Sequence, residues 1–268
     1  MMDTSVEGEE SVLDYILQRR CSCGGFCFYR LDEPCAQDTY YALSSLSLLG
    51  RRVRDPKTEA FLRSLRDENG CYQSISTCFY CVMSLELLGS SEYGVSEGYL
   101  KAEEAALVNT LCSNRFSMDL FLEHAHQFFE VAGLLRFDVG SDLSSRLSLL
   151  SPPPYLKEIY HYVRSCELCG VGYDGDYIRE FLRACQDPHV GFREAPQLRL
   201  SYLEQLYYGV RLCEILGDMP LYPDGIKAFV LSCRRANGGY ARCSAGIATL
   251  KDTYYAVYIL NRLARWLC

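Results

Sequence analysis

Six segments of the chain carry few charges and contain apolar residues on nearly every side. Anchored on a recurring tyrosine pair or a terminal Leu-Gly, they start at 38, 77, 126, 158, 205 and 252, so the intervals are 39, 49, 32, 47 and 47 residues. Helices that are apolar all round are typical of positions enclosed by other helices. We expect six inner helices that begin near 38, 77, 122–126, 155–158, 201–205 and 252.

A second set of segments alternates with the first and is amphipathic. In residues 57–66, for example, Ala60, Phe61 and Leu65 fall near one side of a helix, whereas Lys57 and Arg63 lie largely elsewhere. This pattern predicts helices with one buried face. We expect these outer helices at 12–20, 57–66, 98–111, 142–150, 175–185 and 224–235.

The unit repeats most clearly at the two ends of the chain. Asp-Thr-Tyr-Tyr-Ala occurs at 38–42 and again at 252–256, and each copy follows a Gly-Gly-aromatic turn, at 24–26 and 238–240. An open solenoid is one possible arrangement, but its end repeats need polar caps that differ from the others. Here the first and last units are the most alike, which favours a closed ring. The sequence therefore predicts an all-α protein, an α/α toroid of about six helical hairpins.

These turns and helices resemble the prenyltransferase and squalene-cyclase repeat. That repeat occurs in the β subunits of protein prenyltransferases and in class II terpene cyclases. Gln186, with Gly191 and Phe192 shortly after it, is similar to a further variant of the same turn. The resemblance covers nearly all of residues 9–266. We expect a frayed N-terminus at 1–8 and a single toroid domain over 9–268.

Composition narrows the class of protein. The formal net charge of −7 argues against nonspecific nucleic-acid binding. The N-terminal residues fit no signal peptide, and no segment is apolar enough for a membrane span. We therefore expect a cytoplasmic protein. Its 15 cysteines, many inside predicted helices, are then best explained as reduced thiols.

Two cysteine pairs have metal-binding spacing. Cys78 with Cys81 and Cys166 with Cys169 could together form a four-thiolate zinc site. However, both pairs lie on predicted inner helices far apart around the ring, so core packing is the favoured interpretation. Cys21, Cys23 and Cys27 crowd one turn with a spacing that has no strong ligand precedent.

The start of each charge-poor segment combines a polar residue with aromatic residues two and three positions later. The polar residues are Asp38, Thr77, His126, Glu158, Gln205 and Asp252. The aromatic pairs include Tyr40/Tyr41, Phe79/Tyr80, Phe128/Phe129, Tyr207/Tyr208 and Tyr254/Tyr255, and Tyr160/His161 corresponds to them. One interpretation is a polar rim above an aromatic funnel suited to an isoprenoid chain. The other is that the polar residues are N-caps and the rings fill a core.

The resemblance implies a zinc site that this sequence contains only in part. The family's ligand Asp corresponds to Asp252 and the following Tyr to Tyr255, but Tyr254 replaces the ligand Cys and Asp38 replaces the ligand His. We take Asp252, Asp38 and Tyr255 as candidate catalytic residues, with Asp252 and Asp38 as candidate metal ligands. Two carboxylates would suit Mg²⁺ shared with a diphosphate better than Zn²⁺.

The resemblance also implies an isoprenoid-diphosphate site. The family's diphosphate-binding Arg corresponds to Arg242, which Lys251 could assist. The predicted contacts of the isoprenoid chain are Tyr41, Tyr80, Phe129, Tyr208 and Tyr255.

Other sequence features give weaker indications of a catalytic site. The Asp-x-Asp-Asp acid of class II cyclases is missing; the nearest match, Asp174 with Asp176, is better explained as the start of a helix. The four histidines lack partners at useful spacings, so they are interpreted as separate core or surface residues; they are His124, His126, His161 and His189.

Three functional hypotheses remain open. The first is a prenyltransferase β-like protein that binds an isoprenoid diphosphate and transfers the prenyl group to an acceptor, with an α-subunit-like helical partner. The second is a non-catalytic toroid that binds a peptide or protein. The third is a terpene cyclase that uses rim carboxylates.

Overall fold

A computed structural model describes residues 4–29, 31–113 and 116–267. Within them, twelve α-helices alternate between an inner and an outer ring. The inner helices are α2 (Ala36–Leu48), α4 (Ile75–Leu88), α6 (Met118–Leu135), α8 (Leu156–Cys169), α10 (Leu203–Leu216) and α12 (Leu250–Leu267). The outer helices are α1 (Thr4–Leu17), α3 (Pro56–Ser64), α5 (Glu97–Cys112), α7 (Ser141–Leu147), α9 (Gly175–Ala184) and α11 (Pro223–Ser232).

The inner helices form a closed ring. Each packs against the next one along the chain, and α12 packs against α2, which joins the last repeat to the first. This closure confirms the predicted toroid and excludes the open solenoid. The outer helices confirm the predicted amphipathic segments, although α1 begins and ends earlier than 12–20. Of the N-terminal segment 1–8, residues 1–3 lie outside the described residues.

Helices α8 and α10 begin within the predicted ranges 155–158 and 201–205, whereas α2, α4 and α12 begin two residues before their predicted starts, which changes the role of the polar residues there. Cys35 is the N-cap of α2, and its Sγ accepts from the backbone N–H of Asp38 at 3.3 Å. Ser74 is the N-cap of α4, and its Oγ accepts from the N–H of Thr77 at 3.2 Å. The interpretation of Asp38 and Thr77 as N-caps is therefore wrong. They are third-position residues; the carboxylate of Asp38 accepts from the N–H of Phe28, and the hydroxyl of Thr77 lies 3.1 Å from that of Ser74.

Helix α6 departs from the predicted register. It begins at Met118, well before 122–126, and it runs for 18 residues. The two inward positions that tyrosines occupy on α2 and α12 are taken on α6 by His126 and Gln127. The repeat pattern predicts Phe128 and Phe129 at these positions, so the predicted register of α6 is two residues too far toward the C-terminus.

Two threonines explain why Asp-Thr-Tyr-Tyr recurs after a glycine-aromatic turn. Thr39 Oγ1 accepts from the N–H of Phe26 at 3.0 Å and donates to the carbonyl of Cys35 at 2.7 Å. Thr253 Oγ1 makes the equivalent pair with the N–H of Tyr240 at 3.1 Å and the carbonyl of Thr249 at 2.6 Å. Each hydroxyl thus fastens the turn to the inner helix that follows it.

Short antiparallel hairpins form two of these turns. Strand β1 (Gln186–Asp187) pairs with β2 (Gly191–Phe192), and β3 (Tyr240–Ala241) pairs with β4 (Ala248–Thr249). They leave the all-α class unchanged and bury the turn aromatics Phe192 and Tyr240 in the core.

A glycine on α10 makes room for one of these aromatic rings. A Cβ on Gly209 would lie 2.3 Å from Cγ of Phe192, which is far inside van der Waals contact. Phe192 is fully buried, so its ring has little freedom to move away. The Tyr-Tyr-Gly variant of the repeat on α10 is therefore a packing requirement.

The four cysteines of the two pairs with metal-binding spacing, Cys78/Cys81 and Cys166/Cys169, pack in or against the core. Cys78, Cys81 and Cys166 are buried, and burial raises the pKa of the Cys81 and Cys166 thiols to about 12. These side chains are therefore neutral thiols. Across the described part of the chain, no helix has the length and apolarity that a membrane span requires.

Candidate functional site

The inner ring encloses a cavity of about 320 Å³. We call the end of the cavity at the N-terminal ends of the inner helices, lined by Glu123, Lys157 and Lys251, its mouth, and the end lined by Met83, Glu130 and Arg211 its base. Aromatic and histidine rings form the wall between these ends. They are Tyr40, Tyr41, Phe79, Tyr80, His126, Tyr160, His161, Tyr207, Tyr208, Tyr254 and Tyr255.

Four of the five aromatic residues predicted to contact an isoprenoid chain line this cavity: Tyr41, Tyr80, Tyr208 and Tyr255. The rings pack against one another; Tyr207 stacks on Tyr255 with centroids 4.2 Å apart and an interplanar angle of 20°. Burial raises the pKa of Tyr208 and Tyr255 well above the usual value, so both remain neutral phenols. The wall is therefore aromatic but carries hydroxyl groups.

Phe129 is the exception among the predicted chain contacts. It is buried, but it packs in the hydrophobic core and does not line the cavity. The register of α6 explains this, because His126 and Gln127 take the inward positions. Phe129 therefore does not line the cavity in which the sequence predicted it, whereas His126 and Gln127 do.

Both lysines at the mouth are paired with carboxylates. Lys157 Nζ lies 2.9 Å from Asp119 Oδ1 and 2.8 Å from Glu123 Oε2. Lys251 Nζ lies 2.7 Å from Glu204 Oε1. An anionic ligand at the mouth would have to compete with these carboxylates for the ammonium groups.

The predicted charged residues meet in a second cavity, of about 310 Å³, which opens on the surface beside the mouth. Asp38, Asp252, Arg242 and Lys251 all line it. Lys251 also lines the central cavity, so it stands where the two cavities adjoin. The guanidinium of Arg242 lies over the ring of Tyr202, with its carbon 3.8 Å from the ring centroid.

Asp38 and Asp252 each have a structural partner. Asp38 Oδ2 accepts from the N–H of Phe28 at 2.9 Å, which holds the chain after the first glycine turn. Asp252 Oδ2 accepts from the hydroxyl of Thr249 at 2.7 Å. Burial raises the pKa of both carboxyl groups above the usual range. These contacts hold both side chains within the fold.

The residues present do not fit the zinc site that the resemblance implies. Tyr254 occupies the position of the thiolate ligand, its hydroxyl lies 3.3 Å from that of Tyr207, and burial raises its pKa well above the usual value. A neutral, hydrogen-bonded phenol is a poor zinc ligand. Among the described residues, no group of three or more histidine, cysteine and acidic side chains is arranged to hold a metal.

A histidine pair in the cavity wall was not predicted from the sequence. Nδ1 of His126 lies 2.9 Å from Nδ1 of His161, and Nε2 of His126 lies 3.3 Å from Oε1 of Glu130. Glu130 Oε1 is also 2.6 Å from Arg164. The interpretation of His126 and His161 as separate residues is therefore wrong. Both histidines occupy positions of the inner-helix repeat at which other repeats have inward-facing tyrosines. This equivalence was the sequence signal from which their meeting in the cavity wall could have been predicted.

The charge state of this group follows from its surroundings. Burial lowers the pKa of His126, against the opposing effect of Glu130, and burial lowers that of His161 well below 6.5. Burial alone would raise the pKa of Glu130, but the hydrogen bonds from His126 and Arg164 lower it to about 2. Two neutral imidazoles thus adjoin one ionised carboxylate.

Arg211 lines the base of the cavity and belongs to a hydrogen-bonded network that includes Tyr258. Arg211 donates to the hydroxyl of Tyr258 at 2.7 Å, and that hydroxyl also contacts Glu214. Glu214 pairs in turn with Arg262. The base is therefore polar and closely hydrogen-bonded, unlike the aromatic wall above it.

Comparison with solved structures places this architecture among known proteins. Protein geranylgeranyltransferase-I from Candida albicans, complexed with GGPP, is similar with a TM-score of 0.61 and 10% identity, over 94% of this chain and 90% of that one. A type II terpene cyclase from Scytonema, in complex with geranylgeranyl dihydroxybenzoate, is similar with a TM-score of 0.57 and 11% identity, over 97% of this chain and 96% of that one. At this identity the likeness concerns the fold.

Comparison of sequences gives two results. No curated protein sequence matches the chain. The family described as the prenyltransferase alpha-alpha toroid domain matches it over residues 1–78 and 155–268. The unmatched part, residues 79–154, includes α6. The chain belongs to the prenyltransferase α/α toroid domain family.

Proposed function

We propose that the protein binds an isoprenoid diphosphate and transfers the prenyl group to an acceptor. The isoprenoid chain would lie in the central cavity and the diphosphate at the mouth of the cavity. The observation that carries this proposal is the position of Lys251. It lines both the tyrosine-walled cavity and the surface cavity that contains Arg242. A ligand with an apolar tail and an anionic head would match the two cavities at once.

The aromatic wall of the central cavity suits an isoprenoid chain because aromatic rings offer large, rigid apolar surfaces. Tyr41, Tyr80, Tyr208 and Tyr255 would provide these contacts, as the sequence predicted. The cavity volume of about 320 Å³ is small, near the lower end of about 300–1,000 Å³ for small-molecule sites. We therefore expect chains of ten or fifteen carbons to bind more tightly than a chain of twenty.

The mouth of the cavity suits the diphosphate because Lys251 and Arg242 are cationic and line the surface cavity beside it. The Nζ of Lys251 lies 5.5 Å from the ring centroid of Tyr255, which places its charge next to the aromatic wall. Arg242 is exposed and can reorient toward a ligand. In this proposal Asp252, Asp38 and Tyr255 border the reacting end of the ligand, and Tyr255 would lie beside positive charge that develops there.

Calorimetric titration with geranyl diphosphate and with geraniol tests the proposal. Arg242→Ala should weaken binding of the diphosphate by about 1.5–3 kcal/mol, the range for hydrogen bonds to charged groups. Binding of the alcohol should change little. Arg183→Ala is the matched control, because it removes an exposed arginine from outer helix α9.

Two results would count against the proposal. One is equal binding of the diphosphate by the wild type and Arg242→Ala. The other is no binding by any chain of ten to twenty carbons. Either result would favour the alternative in which the toroid binds a peptide or protein without catalysis.

A further inference from the structure

The chain of hydrogen bonds in the cavity wall has a defined direction. The carboxylate of Glu130 can only accept, so Nε2 of His126 must carry a proton and donate to it. A neutral imidazole carries a single proton, so Nδ1 of His126 is an acceptor. Nδ1 of His161 must then donate to it across 2.9 Å. The remaining nitrogen, Nε2 of His161, therefore bears a free lone pair.

That lone pair has no hydrogen-bond partner among the described residues. His161 is only 6% exposed, and it lines the central cavity. A buried acceptor without a partner costs about 1–3 kcal/mol, so its presence here points to a ligand that donates to it. His161 lies one helical turn below Lys157 on α8, under the mouth of the cavity.

The surroundings of His161 define what such a ligand must be. Tyr208 on α10 approaches it edge-on, with ring centroids 5.5 Å apart, and the ring of Tyr160, its neighbour on α8, has its centroid 5.2 Å away. The charged groups that face it are Lys157 on its own helix, Lys251 on α12 and, through His126, Glu130 on α6. An aromatic ring that carries a hydroxyl would stack in this place and donate to Nε2.

We propose that His161 is a general base that accepts the proton of a phenol bound in the central cavity. Because the proposed function places the reacting carbon of the isoprenoid under the same mouth, the inference rests on that function. It adds an acceptor class and a catalytic residue.

The step balances in atoms and electrons. The O–H bond of the phenol breaks, its proton moves to Nε2 of His161, and the electron pair stays on the oxygen. The oxygen forms a bond to C1 of the prenyl group while the bond from C1 to the diphosphate oxygen breaks. The diphosphate leaves with the electron pair of the broken C1–O bond, and the product is an aryl prenyl ether.

The hydrogen-bond chain would stabilise the proton that His161 accepts. As Nε2 becomes protonated, the Nδ1 proton can shift to His126, whose Nε2 proton moves toward the carboxylate of Glu130. The positive charge is then placed beside an anion in a site of low dielectric constant. His126 and Glu130 are thus positioning residues, which act through His161.

Nitrogen NMR on the ¹⁵N-histidine-labelled full chain tests the assignment of protons. We expect His126 protonated on Nε2, and His161 protonated on Nδ1 with a free Nε2. Phenol should shift the Nε2 resonance of His161, and toluene, which has the same shape without the hydroxyl, should not. Glu130→Gln should change the His126 tautomer populations, which a merely structural role would leave unchanged.

A second measurement follows product formation. Wild-type protein with geranyl diphosphate and phenol should yield geranyl phenyl ether, detected by mass spectrometry, and His161→Gln should lower the yield at least tenfold. His124→Gln, on α6 outside the hydrogen-bond chain, should keep the wild-type yield. A circular dichroism spectrum like that of the wild type establishes that His161→Gln is folded.

The outcomes separate the two proposals. Equal responses to phenol and toluene, or geranyl diphosphate binding without any ether, would overturn the role of His161. A phenol-dependent shift at His161 in a protein that binds no prenyl diphosphate would instead overturn the proposed function. In that case the hydroxyl site would remain, without the transfer step.

Discussion

Lys251 and Glu204 form an ion pair across the mouth of the cavity, with Nζ 2.7 Å from Oε1. The two residues come from neighbouring inner helices, α12 and α10, at equivalent positions of the repeat. The pair partly neutralises the cation that we assign to the diphosphate. The mouth is therefore less positive than Lys251 and the neighbouring Arg242 suggest.

Glu204→Gln should strengthen binding of geranyl diphosphate because it releases Lys251 from this ion pair. We expect a gain of about two- to fivefold, within the roughly 0.2–1 kcal/mol of partly exposed ion pairs. Calorimetry at low and moderate salt measures it, and geraniol is the control ligand. Weaker binding in the variant would mean that Glu204, and not Lys251, contacts the ligand.

Gly209→Ala should destabilise the fold because the new methyl group would collide with the ring of Phe192. We expect a loss of about 1–3 kcal/mol, the usual cost of overpacking a core. Gly133→Ala is the matched control: this glycine is exposed on α6 with no atom within 4 Å of the added Cβ. It should stabilise the helix by about 0.5–1 kcal/mol. Urea unfolding of both variants measures the difference; equal stabilities would contradict the packing argument.

Metal analysis should find less than one zinc per chain in protein purified without chelator. Tyr254 replaces a thiolate, and Asp38 and Asp252 are held by Phe28 and Thr249. Mass spectrometry under native conditions, combined with elemental analysis, makes the measurement. Stoichiometric zinc that disappears in Asp252→Ala would show that this position binds the metal.

Stability should fall on acidification below about pH 6.5 because of the histidine pair. The pKa of His161 lies well below 6.5 in the folded chain, so the unfolded chain binds a proton first. The stability contributed by the neutral ring is present above that pH, and it is lost as pH falls toward the folded pKa. Glu130, with a folded pKa of about 2, acts in the same direction at lower pH.

His161→Phe should flatten this dependence between pH 7 and 5, because phenylalanine binds no proton in either state. Thermal unfolding monitored by circular dichroism across that range provides the measurement. His124→Phe is the comparison variant, since His124 is only partly buried and lies outside the hydrogen-bond chain. The same slope in wild type and His161→Phe would mean that His161 is already protonated, or exposed, in the folded protein.

The sequence by itself determined the architecture. Inner and outer helices differ in their pattern of charge, and the near-identity of the units at 38–42 and 252–256 predicted that the first and last repeats are neighbours. The same repeat placed Tyr41, Tyr208 and Tyr255 on the cavity wall. These features are local and periodic, so a linear pattern is enough to predict them.

Tertiary structure decided the chemistry of the cavity. Helix α6 begins at Met118, and this start sets which of its residues face inward. His126, and not Phe129, therefore meets His161, a residue 35 positions away on the next inner helix. Likewise, Lys251 meets Glu204 only because two repeats pack side by side. A repeat pattern states which position a residue occupies, but the partner across the ring depends on helix length and rotation, which packing of the whole toroid determines.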